Sequence, residues 1–288
     1  MPAVRYQLGI VLLWLLTTVW FVKDEVLPFT DDSDVGYETI LSSRQTDETT
    51  YWSIDLDGRY AGRARTRVRP GPDGTTTILA VLKLDDLETI SQQPKRRRGS
   101  AHHVTGTEGL ELRSTLRISP EGHLSAVDLE VLMSEASIFV ALHGIASQGV
   151  LHFRVEGLEE IPAIPRSFDY AVPEDAIMLE RLAPVDRIPG LYPGRSWTTR
   201  SVNPIAALPG PLKWLLGGEP VEVIHNRVTA TEAITQDGQH VICHVVEHRQ
   251  NHLVGKTWVR VTDGRVLRRV FQLAGMKMTL TRKSEVFH

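Results

Sequence analysis

The pattern of apolar and polar positions divides the chain into one unbroken apolar run and a long alternating remainder. From Leu8 to Val22 the sequence LGIVLLWLLTTVWFV carries no charge, and counted from Tyr6 the stretch has 17 residues, the short end of the roughly 17 to 25 that cross a bilayer as a helix. Tyr6, Trp20 and Phe21 near its ends suit the water interface, and Lys23 can snorkel outward. The run predicts one transmembrane helix. A cleaved secretory signal needs small residues before the cut, and the segment from Lys23 to Phe29 has no such site, so the helix reads as an uncleaved anchor. No Cys follows it to accept a lipid. Arg5 ahead of the span is matched by Lys23 after it, and the free amino terminus tips the basic count toward a cytoplasmic start. Asp24, Glu25, Asp31, Asp32 and Asp34 after the span fit an external position. The expectation is a single-pass inner-membrane protein with its N-terminus inside and its domain in the periplasm or outside. A cytosolic domain tethered to the inner face is the alternative.

Beyond the run, turn signals cut the chain into short stretches rich in Val, Ile, Thr, Leu and Tyr. Asp57-Gly58, the Pro70 to Gly74 cluster, Pro120-Glu121-Gly122, Asp237-Gly238 and Asp263-Gly264 each mark a hairpin. Tyr51 to Leu56, Tyr60 to Val68 and Thr75 to Leu84 form the first meander, followed by Leu110 to Ile118, His123 to Met133, Ile138 to Leu142 and Val150 to Val155. Strand character returns at Ser196 to Val202, Val221 to Thr235, His240 to Arg249, Leu253 to Val261, Arg265 to Leu273 and Lys277 to Arg282. This pattern predicts roughly eleven to thirteen strands and no amphipathic helix of more than about fifteen residues outside the anchor. Between the two sets, residues 157–195 carry Pro162, Pro165, Pro173, Pro184, Pro189 and Pro193, which suits an extended connection rather than packed regular structure.

An apolar insertion at residues 203–218 stands apart. Asn203 can cap and Pro204 can open a helix, while Pro209, Gly210 and Pro211 break it after one turn. The result is a short flap presenting Ile205, Leu208, Leu212, Trp214, Leu215 and Leu216. It is expected to plug one open end of the sheet, or else to act as a lid over a ligand or a membrane-dipping tip. Residues 1–29 therefore read as cytoplasmic tip, anchor and juxtamembrane segment, and 30–288 as the extracytoplasmic domain.

Composition narrows the function. With 42% hydrophobic and 23% charged residues in 288, the bulk can bury a core. The 35 Asp and Glu exceed the 32 Lys and Arg for a net charge of −3, without the basic excess of a nucleic-acid binder. One cysteine, Cys243, rules out an internal disulfide and a Cys-based zinc site.

Several stretches resemble a family. Trp52-Ser53-Ile54-Asp55-Leu56-Asp57-Gly58-Arg59-Tyr60-Ala61-Gly62 is similar to the opening of bacterial extracytoplasmic proteins related to the periplasmic lipoprotein carrier and to lipoprotein-sorting proteins, including planctomycete-type forms that accompany transglutaminase-like domains. Residues Lys256 to Arg268 resemble their closing hairpin, and Phe139 to Gly144 with Gly149 to Phe153 resemble strands between. The resemblance implies a mainly β fold, a strongly curved antiparallel sheet or half-open β-barrel with short capping helices, whose concave face holds an acyl chain or other apolar group. It implies no catalytic residue. The membrane anchor departs from a freely diffusing carrier.

The chemistry candidates are few. His240, His244, His248 and His252 recur every four residues, which on a helix would stack imidazoles on one face. Their β-branched setting after an Asp-Gly turn predicts a strand instead, where i and i+4 lie about 13 Å apart and share no metal. His225 on a neighbouring strand could in principle complete a site. His102-His103 after Lys95 to Arg98 reads as a solvated loop tip. Cys243 lies mid-strand among apolar neighbours, where thiols are inert. Asp55 with Asp57, or Glu130 with Glu135, could pair, but turn chemistry and solvent-facing strand positions account for them. No nucleophile elbow, phosphate loop or dinucleotide fingerprint is present. The expectation is a non-enzyme without a cofactor: a membrane-anchored binding module for a lipid, acylated peptide or other apolar ligand. The alternative is a structural partner in a cell-envelope complex, and a metal-dependent enzyme is the least favoured reading.

Overall fold

The computed structural model describes residues 11, 13–20, 36–41, 46–85, 109–133, 138–157, 166–178, 184–207, 219–250, 253–273 and 275–284. Among them the chain is mainly β: one sheet of 15 strands, with few and short helices. The first meander is β1 (Glu48–Leu56), β2 (Arg59–Pro70), β3 (Thr76–Leu84), β4 (Leu110–Ile118), β5 (Leu124–Met133), β6 (Ile138–Ser147), β7 (Val150–Glu156) and β8 (Ser167–Ala171). The second is β9 (Ile177–Met178), β10 (Ser196–Val202), β11 (Val221–Gln236), β12 (Gln239–Gln250), β13 (Leu253–Arg260), β14 (Val266–Leu273) and β15 (Met276–Lys283). Each strand pairs with its sequence neighbour, except that β8 and β9 are the two edges. β1 pairs with β15, Ile54 opposite Leu280, so the first and last strands meet mid-sheet.

This connectivity forces the sheet to curl. Fourteen strand spacings of about 4.8 Å amount to roughly 67 Å of width. The edges β8 and β9, however, are joined by residues 172–176 alone, and six steps of chain from Ala171 to Ile177 reach at most about 21 Å. The sheet is therefore bent into an open, barrel-like shape with one seam. Alternation then sorts side chains by face. In β3 the pattern is Ile78, Ala80, Leu82 and Leu84 buried between half-buried neighbours, and β4 repeats it with Leu110, Leu112, Leu116 and Ile118. Laterally, Trp52, Ala64, Leu82, Leu112, Val131 and Val140 form one continuous row across six strands.

The sequence's strand boundaries hold to within a few residues outside the Pro-rich connection. There the expectation of an extended, unpacked link is corrected. β8 forms between Pro165 and Pro173 but shows no buried position, only an alternation of exposed and half-buried ones, and β9 is two residues long, too short for a periodic signal. Residues 184–188 are packed inside, with Val185, Asp186 and Ile188 buried. This segment crosses the concave face: Thr66 on β2 donates to the Pro184 carbonyl at 3.3 Å, the Val266 N–H to that of Asp186 at 2.9 Å, and Arg187 bridges to Arg265. Proline removes donors but does not prevent burial when strand side chains meet the carbonyls.

Local devices explain the bends. Gly62 sits at the register shift opposite Ile54/Asp55, where a Cβ would lie 2.0 Å from the Lys83 carbonyl oxygen. Only glycine lets β2 approach β3 that closely. A short helix, Tyr37–Leu41, covers one end by burying Tyr37 and Ile40. At the N-terminus, residues 11 and 13–20 are helical, and all their described side chains are exposed except the half-buried Thr18. Among the described residues no helix is long and apolar enough to cross a membrane.

Candidate functional site

The concave face has an apolar part and a polar part. The apolar part ends at the β7–β8 edge in three rings: Phe153 stacks on Phe168 at 5.0 Å, Phe168 meets Tyr170 at 5.0 Å, and Phe153 meets Tyr170 edge-on at 5.8 Å. Phe153 is 1% exposed, whereas Phe168 and Tyr170 are half-buried. Gly144 makes room for the cluster, since a Cβ there would sit 2.6 Å from the Phe153 ring. Facing this edge across the seam, β9 buries Ile177 and Met178. The seam is stitched by an Arg200–Asp175 ion pair at 2.8 Å and by the Met178 N–H donating to the Tyr37 hydroxyl at 3.0 Å.

The polar part lies under β10 to β14. Asn226 donates to the Thr199 hydroxyl at 2.9 Å, which fixes its amide orientation and leaves its carbonyl oxygen to accept from His248 Nδ1 at 2.6 Å. Thr257 Oγ1 lies 2.6 Å from His248 Nε2 and accepts from Arg269 Nε at 3.2 Å. This geometry fits the imidazole carrying its proton on Nδ1, with the Thr257 hydroxyl donating to Nε2. Asn226, Thr257 and Arg269 are all buried. Nearby, Glu48 collects three guanidinium groups: Arg282 at 3.2 Å, Arg187 at 3.3 Å and Arg265 at 3.5 Å. Arg282 also donates to the Asp186 carbonyl at 3.2 Å, and burial holds its pKa below the usual arginine value. These groups lock the crossing segment to β1, β14 and β15. They are arranged as mutual partners.

The histidines separate as the strand reading requires. His240, His244 and His248 lie along β12, in a strand rather than a helix. His244 contacts the Thr231 hydroxyl at 3.3 Å, while His248 has its own partners. His225 cannot join them, because it lies opposite Arg249, the neighbour of His248 that points to the other face. Among the described residues no group of three or more His, Cys, Asp or Glu could hold a metal. His252, His102, His103 and Glu135 lie outside the described residues, as do Leu208, Leu212, Trp214, Leu215 and Leu216 of the flap. The flap's first turn is present as a 3-10 helix, Pro204–Ala207, with Ile205 fully buried. Asp57 is a turn residue in a left-handed conformation, φ 48°, whose carboxylate accepts from the Lys277 N–H. Cys243 is buried, and burial pushes its thiol up to about 11.

The aromatic edge and the Glu48 cluster escaped sequence reasoning. The spacing of Phe168 and Tyr170 was the available signal for the first, as two aromatics at i and i+2 share a strand face. No local signal exists for the second, whose members come from four distant segments.

No family model matches the chain, and no curated protein matches it. Among solved structures it is similar to the β-barrel-like protein of a domain of unknown function, DUF1849, from Brucella abortus, at 8% identity and a TM-score of 0.48, covering 83% of this chain and 97% of that one.

Proposed function

We propose that the chain is a membrane-tethered, extracytoplasmic and non-catalytic binding module that takes an acyl chain or similar apolar group at the β7–β8 edge. The observation that carries this reading is the half-buried aromatic pair Phe168 and Tyr170 on the concave side of an open seam, backed by the buried Phe153. The resemblance of Trp52 to Gly62 and Lys256 to Arg268 to lipoprotein-carrier-like proteins points the same way. The tether is supported by the N-terminal helix, whose apolar side chains Leu13, Trp14, Leu16, Val19 and Trp20 are 60–65% exposed and so find no partner surface among the described residues. This differs from a site in the centre of the barrel, because residues 184–188 already cover the concave face there.

That same covering favours a second reading, in which the filled barrel is an assembly partner in the cell envelope. Photo-crosslinking separates the two. The full chain in lipid nanodiscs is exposed to a diazirine fatty acid and the adducts are mapped. Adducts on the peptide spanning Phe168 and Tyr170, competed by unlabelled fatty acid and reduced at least ten-fold by Phe168→Asp, are expected. Adducts confined to the N-terminal helix would sink the binding reading and leave the assembly partner.

A further inference from the structure

The outer face of β2 to β4 is lopsided in charge. β2 turns Ala64, Thr66 and Val68 inward and Arg63, Arg65, Arg67 and Arg69 outward. Alternate residues of a strand lie about 6.7 Å apart, so the four guanidinium groups form a line on the convex side. Lys83 lies directly opposite Arg63, Arg113 is across Val81 from Arg65, and Arg117 is across Thr77 from Arg69. These seven cations face four acids, Asp47 just ahead of β1, Asp55 on β1, Glu111 on β4 and Glu130 directly across from Arg113 on β5, which leaves a surplus of three on a chain whose net charge is −3. Asp47 pairs with Arg67 at 2.5 Å and Arg69 at 3.6 Å, Glu111 with Lys83 and Arg113, and Glu130 with Arg113 at 3.7 Å, but Arg63, Arg65 and Arg117 form no ion pair among the described residues. Like charges directly across a ladder, as at Arg63 and Lys83, oppose folding. The domain gains nothing from the line on its own.

We propose that this arginine line rests on anionic phospholipid headgroups and lays the domain on its side against the membrane. The inference depends on the tether reading above. Geometry favours an extended occupant, since the four guanidinium groups project from one side of a single convex strand over about 20 Å. The chain also enters β1 at the Asp47 end of the stripe, so the segment that precedes the domain leads from this face. Each arginine near an anionic leaflet then changes the bound-to-free ratio by about five-fold.

The test uses the full chain with Thr77→Cys, placed between Arg69 and Arg117, carrying an environment-sensitive dye; the buried Cys243 stays unlabelled. The protein is reconstituted in nanodiscs of phosphatidylcholine alone or mixed with phosphatidylglycerol, with a headgroup spin-labelled quencher. Quenching is expected only in the mixed discs. It falls about five-fold in bound-to-free ratio for each of Arg63→Gln, Arg65→Gln and Arg69→Gln, and it is lost as salt rises several-fold above about 0.15 M. The salt titration needs no arginine variant and stands if one fails to fold. A chain that does not elute with either disc overturns the tether reading. Elution with both discs and equal quenching in both overturns the arginine proposal alone. A dye response to soluble polyphosphate in neutral discs, with none to phosphatidylglycerol, overturns it in favour of a soluble polyanion.

Discussion

The Met178 backbone N–H donates to the Tyr37 hydroxyl at 3.0 Å, a buried bond between residues 141 apart in sequence. It ties the segment ahead of β1 to the edge strand β9 and so helps hold the seam. Tyr37→Phe keeps the ring but strands the Met178 donor, which costs about 1–3 kcal/mol when the donor stays buried. The expected result is a lower denaturant midpoint, with faster amide exchange at residues 176–178 than in the first meander. Unchanged exchange there would show that the seam does not depend on this bond.

Glu48 is the shared counter-charge of Arg187, Arg265 and Arg282. Removing the shared carboxylate of this half-buried cluster leaves three cations facing one another, so Glu48→Ala is expected to destabilise the fold by about 1–3 kcal/mol, less than for a fully buried pair. Arg187→Ala, which leaves two partners on the carboxylate, is expected to cost less. Urea unfolding of both variants checks the order.

Gly62 answers to space rather than to chemistry. Gly62→Ala drives a methyl to within 2.0 Å of the Lys83 carbonyl and must push β2 from β3. A loss of about 1–3 kcal/mol is expected, as for other overpacked sites. Gly58→Ala, with open space around its Cβ but a φ of 82°, isolates the cost of backbone strain for comparison.

Acid sensitivity has an assignable part. Burial raises Asp263, but hydrogen bonds and charge from Arg260 and Arg265 outweigh it and leave the carboxyl below its ordinary 3.8. A depressed carboxylate stabilises the fold above its unfolded pKa and loses that contribution as pH falls through the folded value. Stability is therefore expected to drop below about pH 4, and Asp263→Asn to flatten that acid limb while lowering stability at neutral pH. A variant whose acid limb matches the parent would refute the assignment.

Cys243 combines burial with a thiol pushed up to about 11, and only the thiolate reacts. Its alkylation in the folded protein is expected to be at least a hundred-fold slower than in denaturant, as followed by mass spectrometry.

Much of the architecture was legible in the chain because alternation and turn chemistry are local. Asp57-Gly58 and Asp237-Gly238 announced their hairpins through residues that tolerate positive φ, and each does adopt it. β12 was readable as a strand from Val241, Ile242, Val245 and Val246, which removed the apparent helical histidine stack. What the chain did not disclose is long-range. The row from Trp52 to Val140 could be paired strand by strand, but nothing near Pro184 or Asp186 signals that they lie across Thr50 and Thr66. The edge rings Phe168 and Tyr170 were hidden for a related reason: a five-residue strand flanked by prolines carries too few periods to stand out.

The pairing of β1 with β15 sets a timetable for biogenesis. Tyr51 and Lys283 are partners, so β1 waits for a strand made much later in synthesis. Until β15 emerges from the ribosome, one side of β1 is an exposed ladder of unpaired amides and carbonyls, the kind of edge that recruits neighbouring chains. A nascent polypeptide stalled before residue 276 is thus expected to aggregate or engage a chaperone, whereas emergence of β15 removes that edge in a single event.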